Sequence, residues 1–176
     1  MGFRNFMDLK KALFWLGLSV VCFIQASCGF YSLSGANVGD AETFQVVRFQ
    51  NQADLVEPGI DRQFTLALEN LILNQTGLSL VTSGGDLRYE GNITEYYVSP
   101  MTSTAQSTAA QNRLTIAVNV RFYNNLNPEK DFEKKFSFYF DYPANQQLNG
   151  STLDAAVEQI YDRITQEIFN ESLTDW

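Results

Sequence analysis

Residues 113–122 read RLTIAVNVRF and residues 132–141 read FEKKFSFYFD. In the first run Leu114, Ile116, Val118, Val120 and Phe122 alternate with Arg113, Thr115, Ala117, Asn119 and Arg121. In the second, Phe132, Lys134, Phe136, Phe138 and Phe140 alternate with Glu133, Lys135, Ser137, Tyr139 and Asp141. A period of two sends successive side chains to opposite sides of a strand, so each run has one largely apolar face. Between them, residues 124–128 (NNLNP) carry turn chemistry. The pair reads as a hairpin in an antiparallel sheet covered on one side.

Working outward, residues 86–98 alternate in the same way, with Leu87, Tyr89, Gly91 and Ile93 against Arg88, Glu90, Asn92 and Thr94. They predict another long strand, ended by Pro100. Residues 43–49 (TFQVVRF) are β-branched and aromatic and predict a first strand. A short strand is expected at 78–81, before the break at Gly84-Gly85-Asp86.

Two stretches have helical spacing instead. From Pro58, the residues Ile60, Phe64, Leu68, Leu71 and Ile72 fall on one face, widened by Leu66 and Leu73, with Gly77 as the stop. This predicts a helix over 58–76. Leu153, Val157, Ile160, Ile164 and Ile168 predict another over 152–172, opened by a capping-box-like Ser151 and Asp154. The order strand, helix, strands, helix implies an α+β fold. We expect a two-layer sandwich, a mainly antiparallel four-stranded sheet with two helices packed on one face.

The first residues read as an address. Arg4, Lys10 and Lys11 precede an apolar run from Ala12 to Ile24, too short for a membrane span of roughly 20 residues. It suits a secretory signal peptide over 1–27. Two readings of Cys28 stand. Ordinary cleavage near Ala26–Ser27 would leave it as a bare thiol. In a bacterial lipobox, Gln25-Ala26-Ser27-Cys28, cleavage just before Cys28 would free it for lipid attachment, although Gln25 stands where an aliphatic residue is usual. The second accounts for an unpaired cysteine at the mature end of an exported chain. It makes 28–176 a single periplasmic domain held on a membrane by acyl chains. N-myristoylation is excluded, because Phe6 stands where Ser or Thr is needed.

Composition removes several classes of function. The 176 residues carry a formal charge of -8 and no histidine. Phosphate-driven nucleic-acid binding does not fit such a charge. Ser-His-Asp or Cys-His nucleophiles and His-ligated metals cannot be built. Cys22 and Cys28 supply neither a disulfide framework nor a metal site. The acidic pairs Glu57/Asp61 and Glu129/Asp131 sit at a helix start and a turn, where acids are favoured without catalysis. No enzyme, cofactor or metal is expected.

The cations Arg88, Arg113, Arg121 and Lys135 are out of phase with the apolar residues of their strands, so they belong on the uncovered sheet face. There they are candidates to meet the phosphates of a glycolipid. Ordinary cross-strand pairing with Glu90 or Glu133 is the alternative. Residues 101–112 (MTSTAQSTAAQN) are uncharged and of low complexity. They read either as a flexible hairpin tip or as a loop that inserts into a partner, with Met101, Thr102, Gln106 and Gln111 as contact candidates.

Three segments in order, Cys28-Gly29-Phe30-Tyr31-Ser32-Leu33, residues 86–93 (DLRYEGNI) and the Arg113–Phe122 strand after a Ser/Thr/Ala loop, resemble the LptE family of lipopolysaccharide-assembly lipoproteins. With the two helices the resemblance covers nearly all of 28–173. It implies a lipid-anchored protein on the periplasmic side of the outer membrane. It also implies a role in plugging and assembling an LptD-like β-barrel, and contact with lipopolysaccharide through basic side chains. Gly29 after the cysteine, in place of Asp, agrees with outer-membrane sorting. The competing reading is an unrelated periplasm-facing lipoprotein that serves another envelope complex.

Overall fold

The computed structural model describes residues 36–55, 57–101 and 110–174. Cys28 and the expected leader lie outside them. Six strands form one sheet: β1 (Thr43–Val46), β2 (Gln50–Asn51), β3 (Ser79–Leu80), β4 (Leu87–Met101), β5 (Gln111–Asn124) and β6 (Phe132–Pro143). The order is β3-β1-β4-β5-β6, and β2 lies beside β4 further along from β1. Among the described residues there are two helices, α1 (Ile60–Gln75) and α2 (Gly150–Leu173), and a 3-10 turn at Pro128–Lys130.

The α+β class and the two helices agree with the sequence. The sheet does not: it has six strands in place of four, and it is mixed. β4, β5 and β6 form the expected antiparallel meander. β1 pairs parallel with both β3 and β4, and β2 parallel with β4. A parallel pair needs a crossover connection, and α1 provides it between β1 and β3. β1 is also shorter than predicted. Beyond Val47, whose amide still donates to Tyr89 O at 2.8 Å, the chain leaves the ladder; the Phe49 amide donates to Thr65 Oγ1 at 3.1 Å, and the Phe49 ring is fully buried.

Pro100 does not end its strand. It sits near the sheet end, in register with Asn112, and β4 runs on to Met101. Helix α1 opens after Gly59, whose φ of 87° favours glycine, and closes on Thr76, whose amide and hydroxyl both donate to Ile72 O. Gly77 is not its left-handed stop. Helix α2 opens at Gly150 after Asn149 without a side-chain cap, so Ser151 lies inside the helix and no capping box forms.

α1 packs on the β1–β3 half of the sheet and α2 on β5 and β6. The core lies between the layers. Ile60, Phe64, Leu68 and Ile72 of α1 and Ile160, Ile164 and Ile168 of α2 meet Tyr89, Ile93, Ile116 and Val118 of the sheet. Leu66 and Leu73 do not widen the buried face: they are 43% and 41% exposed. Two buried hydroxyls tie distant segments. Tyr161 donates to Ile60 O at 3.0 Å, and Tyr89 and Ser172 share a hydrogen bond of 2.9 Å. Burial of the two phenols pushes their pKa values up, so both stay neutral. Among the described residues no helix is long and apolar enough to cross a membrane.

Candidate functional site

The helices cover one side of the sheet and leave the other open. In-register pairs build that open face as a series of rows. Near one end Arg88 is opposite Tyr123, and next along Glu90, Arg121 and Glu133 are in line. Asn92, Asn119 and Lys135 follow, then Glu95, Ala117 and Ser137, then Tyr97, Thr115 and Tyr139, then Ser99, Arg113 and Asp141. A register shift between Ile93 and Glu95 leaves Thr94 as the extra residue, and its hydroxyl donates to Ala117 O at 3.3 Å. This bulge puts Glu95, and not Thr94, in the next row of the open face.

All four predicted cations lie on this face, but they do not converge. Ten residues of β5 separate the Arg88 row from the Arg113 row, roughly 33 Å of strand. Each cation has an acid beside it. Glu90 holds two: Arg121 Nε at 3.0 Å and Arg88 Nη2 at 3.3 Å. Lys135 pairs with Glu95. Arg113 grips Asp141 through two hydrogen bonds of 2.7 and 2.8 Å. The end arginines also lie on aromatic rings, Arg88 4.5 Å from the Tyr123 centroid and Arg113 3.5 Å from that of Tyr139. The face is therefore a strip of alternating charge edged by tyrosine.

Sequence reasoning missed Tyr97 and Tyr139, which are 44% and 43% exposed and flank Thr115 near the hairpin end. Tyr139 was already in phase with the cations. The bulge concealed Tyr97. Of the loop candidates, Met101 and Gln111 are register partners at the last rung of the β4–β5 ladder, with Pro143 beside Gln111. Ala144 N donates to Ala110 O at 3.0 Å and braces the base of the tip. Thr102 and Gln106 lie outside the described residues. The opposite end of the sheet receives the N-terminal segment: Asn37 N donates to Leu173 O at 2.6 Å, and Val38 and Asp40 share a shallow cavity with Leu126, Lys130 and Ser172.

Three acids on this scaffold, Asp61, Asp86 and Asp141, titrate low, while burial pushes Glu69 up. Hydrogen bonds from the Arg113 guanidinium hold Asp141 below the usual carboxylate range, and Arg48 does the same for Asp61. Asp86 is lowered by the Thr43 hydroxyl and the Glu42 and Thr43 amides, all donating to Oδ2. A carboxylate depressed in the folded state adds stability that is complete above its unfolded pKa, about 3.9 for Asp, and is lost as pH falls through the folded value. With no histidine present, nothing on a side chain titrates at its ordinary value between about pH 5 and 8. The thermal midpoint is thus expected to be level across that window and to fall below about pH 4. Asp141→Asn should shrink the acid fall, as read by calorimetry against pH. A slope centred near pH 6.5 would contradict this account.

A family model described as Lipopolysaccharide-assembly, LptE, matches residues 41–172. No curated protein matches the sequence. Among solved structures, a hypothetical protein from Chlamydia trachomatis has a TM-score of 0.50 at 8% identity, covering 75% of this chain and 98% of that chain. A minor lipoprotein from Acinetobacter baumannii has a TM-score of 0.49 at 12% identity, covering 76% and 97%. An uncharacterized lipoprotein B from Nitrosomonas europaea has a TM-score of 0.44 at 17% identity, covering 80% and 88%. At such identity the Chlamydia likeness concerns the fold alone.

Proposed function

This chain belongs to the LptE family of lipopolysaccharide-assembly proteins, and from that premise we propose that it is a non-enzymatic subunit of the lipopolysaccharide translocon. In this reading Cys28 carries the lipid anchor at the periplasmic side of the outer membrane, after removal of residues 1–27. The domain plugs an LptD-like barrel and assists its assembly, and its open face contacts lipopolysaccharide.

The observation that carries the reading is the family match across 41–172. The geometry supports it. Residues 37–40 lie at one end of the sheet and the Met101–Gln111 rung at the other. The 15-residue β4 makes that separation roughly 45 Å. Eight residues join Cys28 to Ala36 and reach at most about 28 Å. A sheet of that length suits a body aligned along a barrel axis. Because every cation of the strip already has an acid beside it, lipopolysaccharide phosphates would compete with carboxylates for Arg88, Arg113, Arg121 and Lys135. Such a face binds more weakly than bare cations would.

The test is affinity purification of the tagged lipoprotein from detergent-solubilised outer membranes, with mass spectrometry of what accompanies it. A stoichiometric large β-barrel is expected. A different dominant partner would reject the plug. Two variants separate the roles. Replacing 102–109 with Asn-Gly leaves a three-residue turn, Asn-Gly and Ala110, on the Met101–Gln111 rung and should leave the domain folded while most of the barrel is lost. Changing Arg88, Arg113, Arg121 and Lys135 to Ala should lower lipopolysaccharide retention by more than about tenfold and spare the barrel. Unchanged retention would remove lipopolysaccharide contact from this face.

A further inference from the structure

β6 is an outer strand of the sheet, and among the described residues none pairs beyond it. It is 12 residues long, and an unpaired edge of that length is a template for another strand. Phe138 and Phe140 on its helix side are only half-buried. The other sheet edge, β3, has two residues. We propose that the free edge of β6 pairs antiparallel with β6 of a second copy of this chain, joining two sheets into one.

Charge selects the register. In a two-fold antiparallel pair, facing residues point to the same side, so the axis passes between one residue and its own image. Centred on Ser137, the pair sets Glu133 against Asp141 of the second copy, like against like. Centred on Tyr139, it sets no charges opposite each other. Centred on Phe138, it places Lys135 opposite Asp141 of the second copy, and does so twice by symmetry. Phe136 then faces Phe140 of the second copy, and Phe138 faces its own image, so six phenylalanines line the helix side of the seam. On the open side, Glu95 already holds Lys135 and Arg113 already holds Asp141. Joining the copies extends these pairs into two chains of alternating sign, Glu95 reaching diagonally to Lys135 of one copy, followed by Asp141–Arg113 of the other. An edge lysine normally discourages pairing; in this register each Lys135 meets an acid.

This goes beyond the barrel reading. A closed barrel offers no free strand edge, so the pairing belongs to the lipoprotein before it enters one. Barrel co-purification tests that reading and sedimentation tests this one, so either can fail alone. The experiment is sedimentation velocity of the full mature lipoprotein in density-matched detergent over a range of concentrations. Wild type should shift from monomer to dimer with concentration. Lys135→Asp should move the midpoint upward by more than tenfold, with an unchanged circular dichroism melt. Should that variant unfold, cross-linking decides: on oxidation Phe138→Cys should form a covalent dimer faster than Phe132→Cys, which the register places away from its image. A monomer at every concentration, a dimer indifferent to Lys135→Asp, or equal cross-linking at the two cysteines would overturn the proposal.

Discussion

Gly91→Ala is expected to lower the unfolding free energy by about 3 kcal/mol or more, since overpacking a dense core usually costs 1–3 and backbone contacts cannot yield. Gly91 lies in phase with Tyr89 and Ile93 on the helix side of β4, opposite Val120. A Cβ built there would stand 2.0 Å from Asn119 O and 2.8 Å from Phe49 Cε1. The first atom belongs to the β5 backbone. The second belongs to a fully buried ring, itself packed on Phe64 with centroids 4.8 Å apart. Neither can move without opening the ladder or the core. Gly77→Ala is the control: its added Cβ meets nothing within 4 Å, and a change within about 0.5 kcal/mol is expected. Urea unfolding of both at pH 7 checks the contrast, and equal losses would dismiss the steric argument.

Phe64→Ala should cost about 3–5 kcal/mol, the usual range for truncating a buried phenylalanine. The Phe64 ring is fully buried and makes edge contacts with two others, Phe49 at 4.8 Å and Tyr161 at 5.1 Å. It therefore joins the parallel half of the sheet to both helices. Its removal leaves a cavity walled by three elements that cannot all close in. Leu66→Ala, two residues along the same helix, removes a side chain already 43% exposed, and should cost no more than about 0.5 kcal/mol. A loss at Leu66 comparable to that at Phe64 would mean that α1 is rotated relative to the sheet.

How far the sequence could be read depended on periodicity. β5 and β6 were legible because five apolar residues alternate without interruption in one and four of five in the other. The same alternation correctly sent Arg88, Arg113, Arg121 and Lys135 to the open face. Their partners were less legible. Glu90 was among the acids named as alternative partners for these cations, and it lies before the bulge, where the phase still holds. Glu95 was not foreseen for Lys135, because Thr94 shifts the phase and a bulge has no period of its own. The parallel pairings escaped for a different reason. β1, β2 and β3 have four, two and two residues, too few for alternation to register, and their places are set by tertiary contacts. Asp86 receives the Glu42 and Thr43 amides from 43 and 44 residues away. The exposure of Leu66 and Leu73 was concealed because leucine at helical spacing is compatible with either flank of an amphipathic face.

Several hydrogen bonds of the core join segments far apart in the chain. Asn37 N meets Leu173 O, Tyr89 meets Ser172, and Tyr161 reaches Ile60 O across 101 positions. A polypeptide is made from its N-terminus, so β1 to β6 all emerge before α2 exists to cover them. The β5–β6 half of the apolar side waits, uncovered, until the 24 residues of α2 have followed. Closure of the layered core is thereby tied to the appearance of α2.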